Sequence, residues 1–301
     1  MIIAPSNADS KLQQDIDYLI IKAIEEDKIF SDITSDITIK DNKNSNFQLR
    51  ACNNMVVCGT FIIDNIVAIV KNNHLSDKFA NTEISYQIII KDGDTAKKND
   101  VIIKGFGNAK LIFAIERILL NFIQHLSGIA TQTNNFVTKL NNKNIKIIDT
   151  RKTIPSLRRL QKYAVTIGGG DNHRFDLSEM LLIKDNHIAC IDDIESVFKE
   201  ARCTNKKIEI ECDNIEQLNN FVALKPDIIM LDNMSIDDIK QSSSIIRNFN
   251  KNNNCNITIE VSGGINIDNI NNYSKLDIDF ISIGFITHSV MACDISLDII
   301  F

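Results

Sequence analysis

The second half of the chain repeats one arrangement six times: a short apolar, mostly β-branched run, polar or glycine residues that close it, then a connection. The runs fall at 145–149, 180–184, 208–211, 228–232, 257–261 and 280–284, and helical spacing is clear over 192–202, 215–224, 236–249 and 267–275. Strands that alternate with helices form a parallel sheet, because parallel neighbours need a crossover and the crossover is usually a helix. The strands close on Asp149-Thr150-Arg151-Lys152, Lys184-Asp185-Asn186-His187, Glu211, Asp232-Asn233, Ser262-Gly263-Gly264 and Gly284. In a parallel α/β barrel these C-terminal ends converge on one face, so one mouth lined by all six clusters is expected. Loops ordinarily offer Asn, Ser and Gly at such points, and Lys and Glu there point to a ligand.

The first ~115 residues read differently, as a layered mixture of helix and strand; at 301 residues the chain is about twice a typical domain. A helix is expected over 15–26, where Ile16, Leu19, Ile20, Ala23 and Ile24 share a face, and strands over 47–57 and 84–90. Asp92-Gly93 is a turn of the kind that joins antiparallel strands. From Ala109, apolar residues at three- and four-residue steps predict a helix that links two domains and is interrupted at Ser127-Gly128.

Composition excludes several classes. With 44% hydrophobic and 24% charged residues, 3 Pro and 11 Gly, the chain is neither disordered nor fibrous. The best uncharged apolar run, 61–70, is broken by Asp64 and Asn65 and falls short of the ~18 residues of a membrane span. Residues 1–14 lack the basic-then-apolar order of an export signal, so a cytoplasmic protein is expected. Seven cysteines without a C-x-x-C pair read as core thiols of a reducing compartment. A net charge of −6 argues against nucleic acid or an anionic membrane as partner.

Against that acidic background, Arg151, Lys152, Arg158, Arg159, Lys162, His173, Arg174 and Lys184 form a dense cationic segment. Arginine forks grip carboxylate or phosphate with paired hydrogen bonds and lysines add point charge, so a ligand with both groups fits. Arg158, Arg159 and Lys162 have helical spacing after Pro155 and read as a solvated or phosphate-facing helix. Gly168-Gly169-Gly170 lacks nucleotide-loop spacing and is weak evidence alone. Ser262-Gly263-Gly264 before the helix expected at 267, with Gly284, offers backbone N–H groups to a phosphate. Glu211 and Asp232 face this charge as holders of sugar hydroxyls or magnesium, or simply as neutralising acids.

These stretches resemble the quinolinate phosphoribosyltransferases. The resemblance runs through Glu116-Arg117, Leu126 to Thr131, Asp149 to Thr153, Gly168 to Phe175, Ile183 to His187, Leu231 to Asn233 and Ser262 to Gly264; Ile154, Ser156 and His125 depart from the usual pattern. It implies an α/β fold with an N-terminal α/β sandwich over 1–118, an incomplete, open α/β barrel over 119–287, and a tail over about 288–301 that returns to the first domain. It implies conversion of quinolinate and phosphoribosyl pyrophosphate to nicotinate mononucleotide, pyrophosphate and carbon dioxide in NAD biosynthesis, with Mg2+ and no organic cofactor. The expected assembly is a homodimer with shared active sites, or a higher oligomer built from it. By carry-over, Arg117 enters the neighbouring chain's site; Arg151, His173, Arg174 and Lys184 hold the dicarboxylate; Lys152 contacts the phosphoribosyl donor. Glu211 and Asp232 face the ribose and its magnesium, and Ser262, Gly263, Gly264 and Gly284 hold the 5-phosphate. Lys152, Lys184, Glu211 and Asp232 are the expected catalytic set. A nicotinate-using transferase, the nearest rival, would need fewer cations.

Overall fold

The computed structural model describes residues 10–72 and 76–300. Residues 1–9, part of the stretch read for an export signal, lie outside them. The chain forms two compact units: Met1–Asn134 with Thr153–Gly169 and Thr287–Phe301, and Asn135–Lys152 with Gly170–Ile286. The first unit therefore keeps residues 119–134 and 153–169, which the sequence reading had given to the barrel.

In the first unit α1 (Ser10–Asp27) buries Leu12, Ile16, Ile20 and Ile24 at four-residue steps, the stripe a one-faced helix requires. The short α2 (Ile33–Thr38) is capped by the Asp32 carboxylate, which accepts from the N–H groups of Thr34 and Ser35. An antiparallel sheet in the order β12-β1-β5-β3 contains β1 (Asn44–Ala51), β3 (Ile84–Ile88), β5 (Val101–Asn108) and β12 (Ile295–Ile300). The C-terminal strand thus lies beside β1, with Asn46 opposite Ile300. A separate ribbon pairs β2 (Met55–Val56) with β4 (Thr95–Ala96), and α3 (Ile62–Lys71) packs Ile62, Ile63, Ile66 and Val70 inward. The Asp92-Gly93 turn does not make a hairpin, since β3 pairs with β5 and β4 with β2. Asp92 is instead a hub: its carboxylate accepts from Gly59 N, Thr60 N, Thr60 Oγ1 and Tyr163 Oη at 2.6–2.9 Å.

Helix α4 (Ala109–Leu140) runs for 32 residues without the expected break at Ser127-Gly128. Ser127 is buried, accepts the Cys58 N–H at 3.0 Å and donates to Cys58 O at 3.2 Å. A Cβ on Gly128 would lie 2.3 Å from Met291 O, so the glycine serves close packing. By length and composition alone α4 could cross a membrane, but most of its apolar window is buried in protein, as in the core helix of a globular unit. Helix α5 (Arg158–Ile167) also belongs to this unit and corrects the reading of a solvated basic face. Lys162 is fully buried, Arg159 pairs with Asp15 at 3.1 Å and Arg158 donates to Thr153 Oγ1.

The second unit is the expected parallel sheet: β6 (Lys146–Ile148), β7 (Leu181–Ile183), β8 (Ile208–Cys212), β9 (Ile228–Asp232), β10 (Thr258–Ser262) and β11 (Phe280–Ser282). The order β6-β11-β10-β9-β8-β7 places the first strand beside the last, as in a barrel, and leaves it open between β6 and β7. Helices α6 (Asp185–Ile188), α7 (Ile194–Cys203), α8 (Ile215–Val222), α9 (Ile236–Asn253) and α10 (Phe285–His288) follow the strands. Ile210, Ile229, Ile259 and Ile281 are buried in one core with Phe198, Leu218, Ile239 and Ile246 of the helices. Successive strand residues face opposite sides, so the alternate set turns to the interior: Glu209 and Glu211, Met230 and Asp232, Glu260 and Ser262, Ser282.

No α-helix forms over 267–275; a 3₁₀ turn at Ile270–Tyr273 stands in its place. Asn266 Oδ1 accepts from the N–H groups of Asp268 and Asn269, and Asn269 donates to Gly264 O, so side chains take the backbone partners a helix would use. The Asn-rich tract 248–256, whose composition alone suggests a solvated loop, is largely the end of α9, stopped by left-handed Asn254. The cysteines divide: Cys58, Cys212 and Cys293 are buried, whereas Cys190 and Cys203 are exposed rather than core.

Candidate active site

A cavity of about 250 Å³ opens in the second unit, lined by Thr150, Arg151, Lys152, His173, Arg174, Leu182, Lys184, Met230, Glu260, Ser262 and Ser282. Five of the eight members of the cationic segment therefore converge, while Arg158, Arg159 and Lys162 on α5 are not in its wall. Arg151 and Lys152 follow β6, and Lys184 follows β7, where strand ends leave the sheet. Arg174 is 9% exposed and its Nη1 donates to Met180 O at 3.0 Å. Burial, then the neighbouring Arg151 guanidinium, loosens its hold on its proton, as expected of cations crowded where an anion is to sit.

The carboxylates occupy adjacent strand ends. Lys184 Nζ donates to Glu211 Oε2 at 2.6 Å. Oxygens of Glu211, Asp213 and Asp232 lie within 4.8 Å of one another. Three carboxylates at that spacing are hard-oxygen donors suited to magnesium, and Asp213 joins the two expected from sequence. Asp232 also accepts from Asn233 Nδ2 at 2.5 Å.

The glycine loop after β10 has no helix behind it, so its N–H groups are presented by turn geometry instead. Gly263 and Gly264 have φ of +92° and +63°, and Asn233 N donates to Ser262 O at 3.0 Å. A Cβ at Gly263 would meet Asn233 Oδ1 at 2.3 Å, so only glycine fits against that neighbour without displacement. Gly263, Gly264, Gly284, Glu211 and Asp232 are outside the cavity wall, and Arg117 is exposed on α4 in the first unit.

Two residues of the interior were not singled out from sequence. Glu209 and Glu260 are 0% and 1% exposed, and burial, the first cause for both, pushes each carboxyl up to about 8. They flank His173, whose Nε2 is 3.1 Å from Glu209 Oε2 and 3.5 Å from Glu260 Oε2. His173 Nδ1 accepts the Arg174 N–H at 2.7 Å, so both ring nitrogens face protein groups. The signal was present in the sequence: Ile208-Glu209-Ile210-Glu211 and Ile259-Glu260-Val261 put acids at alternate positions of apolar strands, a pattern that buries them if the strand is central.

Comparison with known proteins agrees with this geometry. Residues 32–127 match the N-terminal domain and residues 129–298 the C-terminal domain of quinolinate phosphoribosyl transferase. A probable nicotinate-nucleotide pyrophosphorylase [carboxylating] of Methanocaldococcus jannaschii is 42% identical over 286 residues, covering 94% of this chain and 96% of the relative. Among solved structures, the nicotinate-nucleotide pyrophosphorylase from Ehrlichia chaffeensis is 38% identical with TM-score 0.83, covering 99% of this chain and 100% of that one. The corresponding protein from Francisella tularensis is 35% identical with TM-score 0.83, covering 95% and 96%.

Proposed function

The chain belongs to the quinolinate phosphoribosyltransferase family, and from that premise we propose that it joins quinolinate to phosphoribosyl pyrophosphate and releases nicotinate mononucleotide, pyrophosphate and carbon dioxide. The observation that carries this reading is the gathering of Arg151, Lys152, Arg174 and Lys184 around one small cavity in an acidic protein. Two carboxylates on a pyridine ring need that surplus of cations, and a single carboxylate does not.

Arg151, Arg174 and Lys184 hold quinolinate, and Lys152 meets the pyrophosphate of the donor. The left-handed N–H groups of Gly263 and Gly264, with Ser262 and Gly284, receive the 5-phosphate. Glu211 and Asp232 face the ribose, where their negative charge stabilises the positive charge that develops as pyrophosphate leaves the anomeric carbon. Glu211, Asp213 and Asp232 would hold Mg2+, which supplies charge neutralisation for the leaving diphosphate. The ribosylated ring nitrogen is cationic, so it accepts the electron pair of the C–C bond when the adjacent carboxylate departs as carbon dioxide. A proton then takes that position on the ring.

In the same reading two chains pair, and Arg117, exposed on α4, is offered to the partner's site. A cytoplasmic location goes with seven scattered thiols that lack a C-x-x-C pair. The test is incubation with quinolinate, phosphoribosyl pyrophosphate and magnesium, following nicotinate mononucleotide and carbon dioxide. Nicotinate should be used ~10⁴-fold less efficiently, because charged donors are left unpaired; equal use of both acids refutes the reading.

A further inference from the structure

The segment that carries His173 and Arg174 bridges the opening of the barrel. On the β6 side Asp171 pairs with Ile148 and the His173 N–H donates to Asp149 Oδ1 at 2.9 Å. On the β7 side Arg174 donates to the carbonyl of Met180, the residue before the strand. The His173 ring turns inward between these anchors. Its Nδ1 accepts the Arg174 N–H, which leaves the ring proton on Nε2, pointing at Glu209 and Glu260. The three residues lie close enough to enclose a cation, but a protonated Nε2 is a donor and not a ligand.

Both glutamates are within ion-pair reach of Nε2, yet none of their four oxygens makes a well-aligned hydrogen bond in the structure. Fully buried acids in that state are costly and call for a function. We propose that His173 is a positioning residue rather than a ligand of quinolinate, and that Glu209 and Glu260 fix its ring so that Arg174 is held across the barrel opening and aimed into the cavity. This rests on the quinolinate reading and assigns to two buried acids, one of them in the cavity lining, a positioning role exerted through His173.

The experiment is a double-mutant cycle on quinolinate affinity by calorimetry, with thermal melts as a fold control. Wild-type binding of quinolinate is the control for the function itself; if it is absent, that reading fails and not this one. Glu260→Ala and His173→Ala should each weaken binding by roughly 10-fold or more, the loss expected when a buried polar group loses its neighbour. The double variant should be no weaker than His173→Ala, and Glu260→Gln should recover most of the affinity. Additive losses, or no recovery by Gln, overturn the proposal. Should His173→Ala fail to fold, side-chain ¹⁵N NMR of the unmodified protein decides. The Nε2-protonated tautomer with resonances unmoved by saturating quinolinate supports positioning, and a shift of the Nε2 resonance on binding makes His173 a direct ligand and overturns it.

Discussion

Lys184 Nζ stands 2.6 Å from Glu211 Oε2, with the lysine side chain 43% exposed and the glutamate 7%. The cation assigned to quinolinate and the acid assigned to the ribose are therefore one another's partners before either substrate arrives. Removing Glu211 takes a competing anion from Lys184. Glu211→Ala is expected to keep quinolinate binding intact or tighter while turnover falls ~100-fold or more. Asp232→Ala should raise the KM for phosphoribosyl pyrophosphate with quinolinate affinity unchanged. Calorimetry with quinolinate alone checks both, and loss of that binding in a folded variant contradicts the assignment.

The clustering of Glu211, Asp213 and Asp232 oxygens within 4.8 Å predicts a divalent-cation requirement. Chelation should abolish activity and magnesium should restore it. Asp213→Asn should raise the magnesium concentration for half-maximal rate several-fold, with the rate at saturation nearly retained. A magnesium titration of the variant is the measurement.

Arg117→Ala and Lys184→Ala should each be nearly inactive, since losing one partner of a charged contact that bound substrate would bury costs ~2–5 kcal/mol. If Arg117 serves the partner's site, mixed dimers carry one site with both defects and one with neither. Random exchange then returns about a quarter of wild-type activity. Mixed dimers demonstrated by mass spectrometry without recovered activity place Arg117 in its own chain's site.

Glu260 has a carboxyl pushed up to about 8 by burial, from an ordinary value of 4.5. The folded state therefore binds this proton more tightly than the unfolded state, and stability must fall as pH rises from about 4.5 through about 8, then level off. Glu260→Gln should flatten that decline. Urea unfolding of both proteins between pH 5 and 9 gives the slopes; equal slopes would remove Glu260 as a source.

Gly263→Ala should be tolerated poorly for a local reason. Its φ of +92° strains any side chain, and the new Cβ would press on Asn233. A stability loss of ~1–3 kcal/mol is expected. A raised KM for phosphoribosyl pyrophosphate with an unchanged quinolinate Kd would mark the loop as the phosphate end of the site.

The parallel sheet was legible because apolar runs and turn residues recur in step, and the observed β9 coincides with the run read at 228–232. The cationic wall was legible because charge at strand ends is conspicuous. Glu209 and Glu260 are inconspicuous in the sequence because each lies two residues deeper in its strand than the polar residue that closes it, on the same face. The helix expected over 267–275 failed because Asn266 and Asn269 satisfy nearby backbone groups, a competition that apolar spacing does not reveal. Continuity of α4 through Gly128 depended on what packs beside it, namely Met291, which is remote in sequence.

The acid-lined interior of the barrel also makes a statement about selection. Barrels of this kind are usually filled with branched apolar residues, and exchanging buried charged groups for well-packed hydrophobic ones is often neutral or stabilising by ~1–4 kcal/mol. Leucine or methionine at 209 and 260 would then make a hardier protein with an idle His173. A population screened for heat resistance alone should drift toward such variants and lose catalysis, whereas one screened for growth without supplied pyridine nucleotide should keep the acids and accept the lower melting temperature.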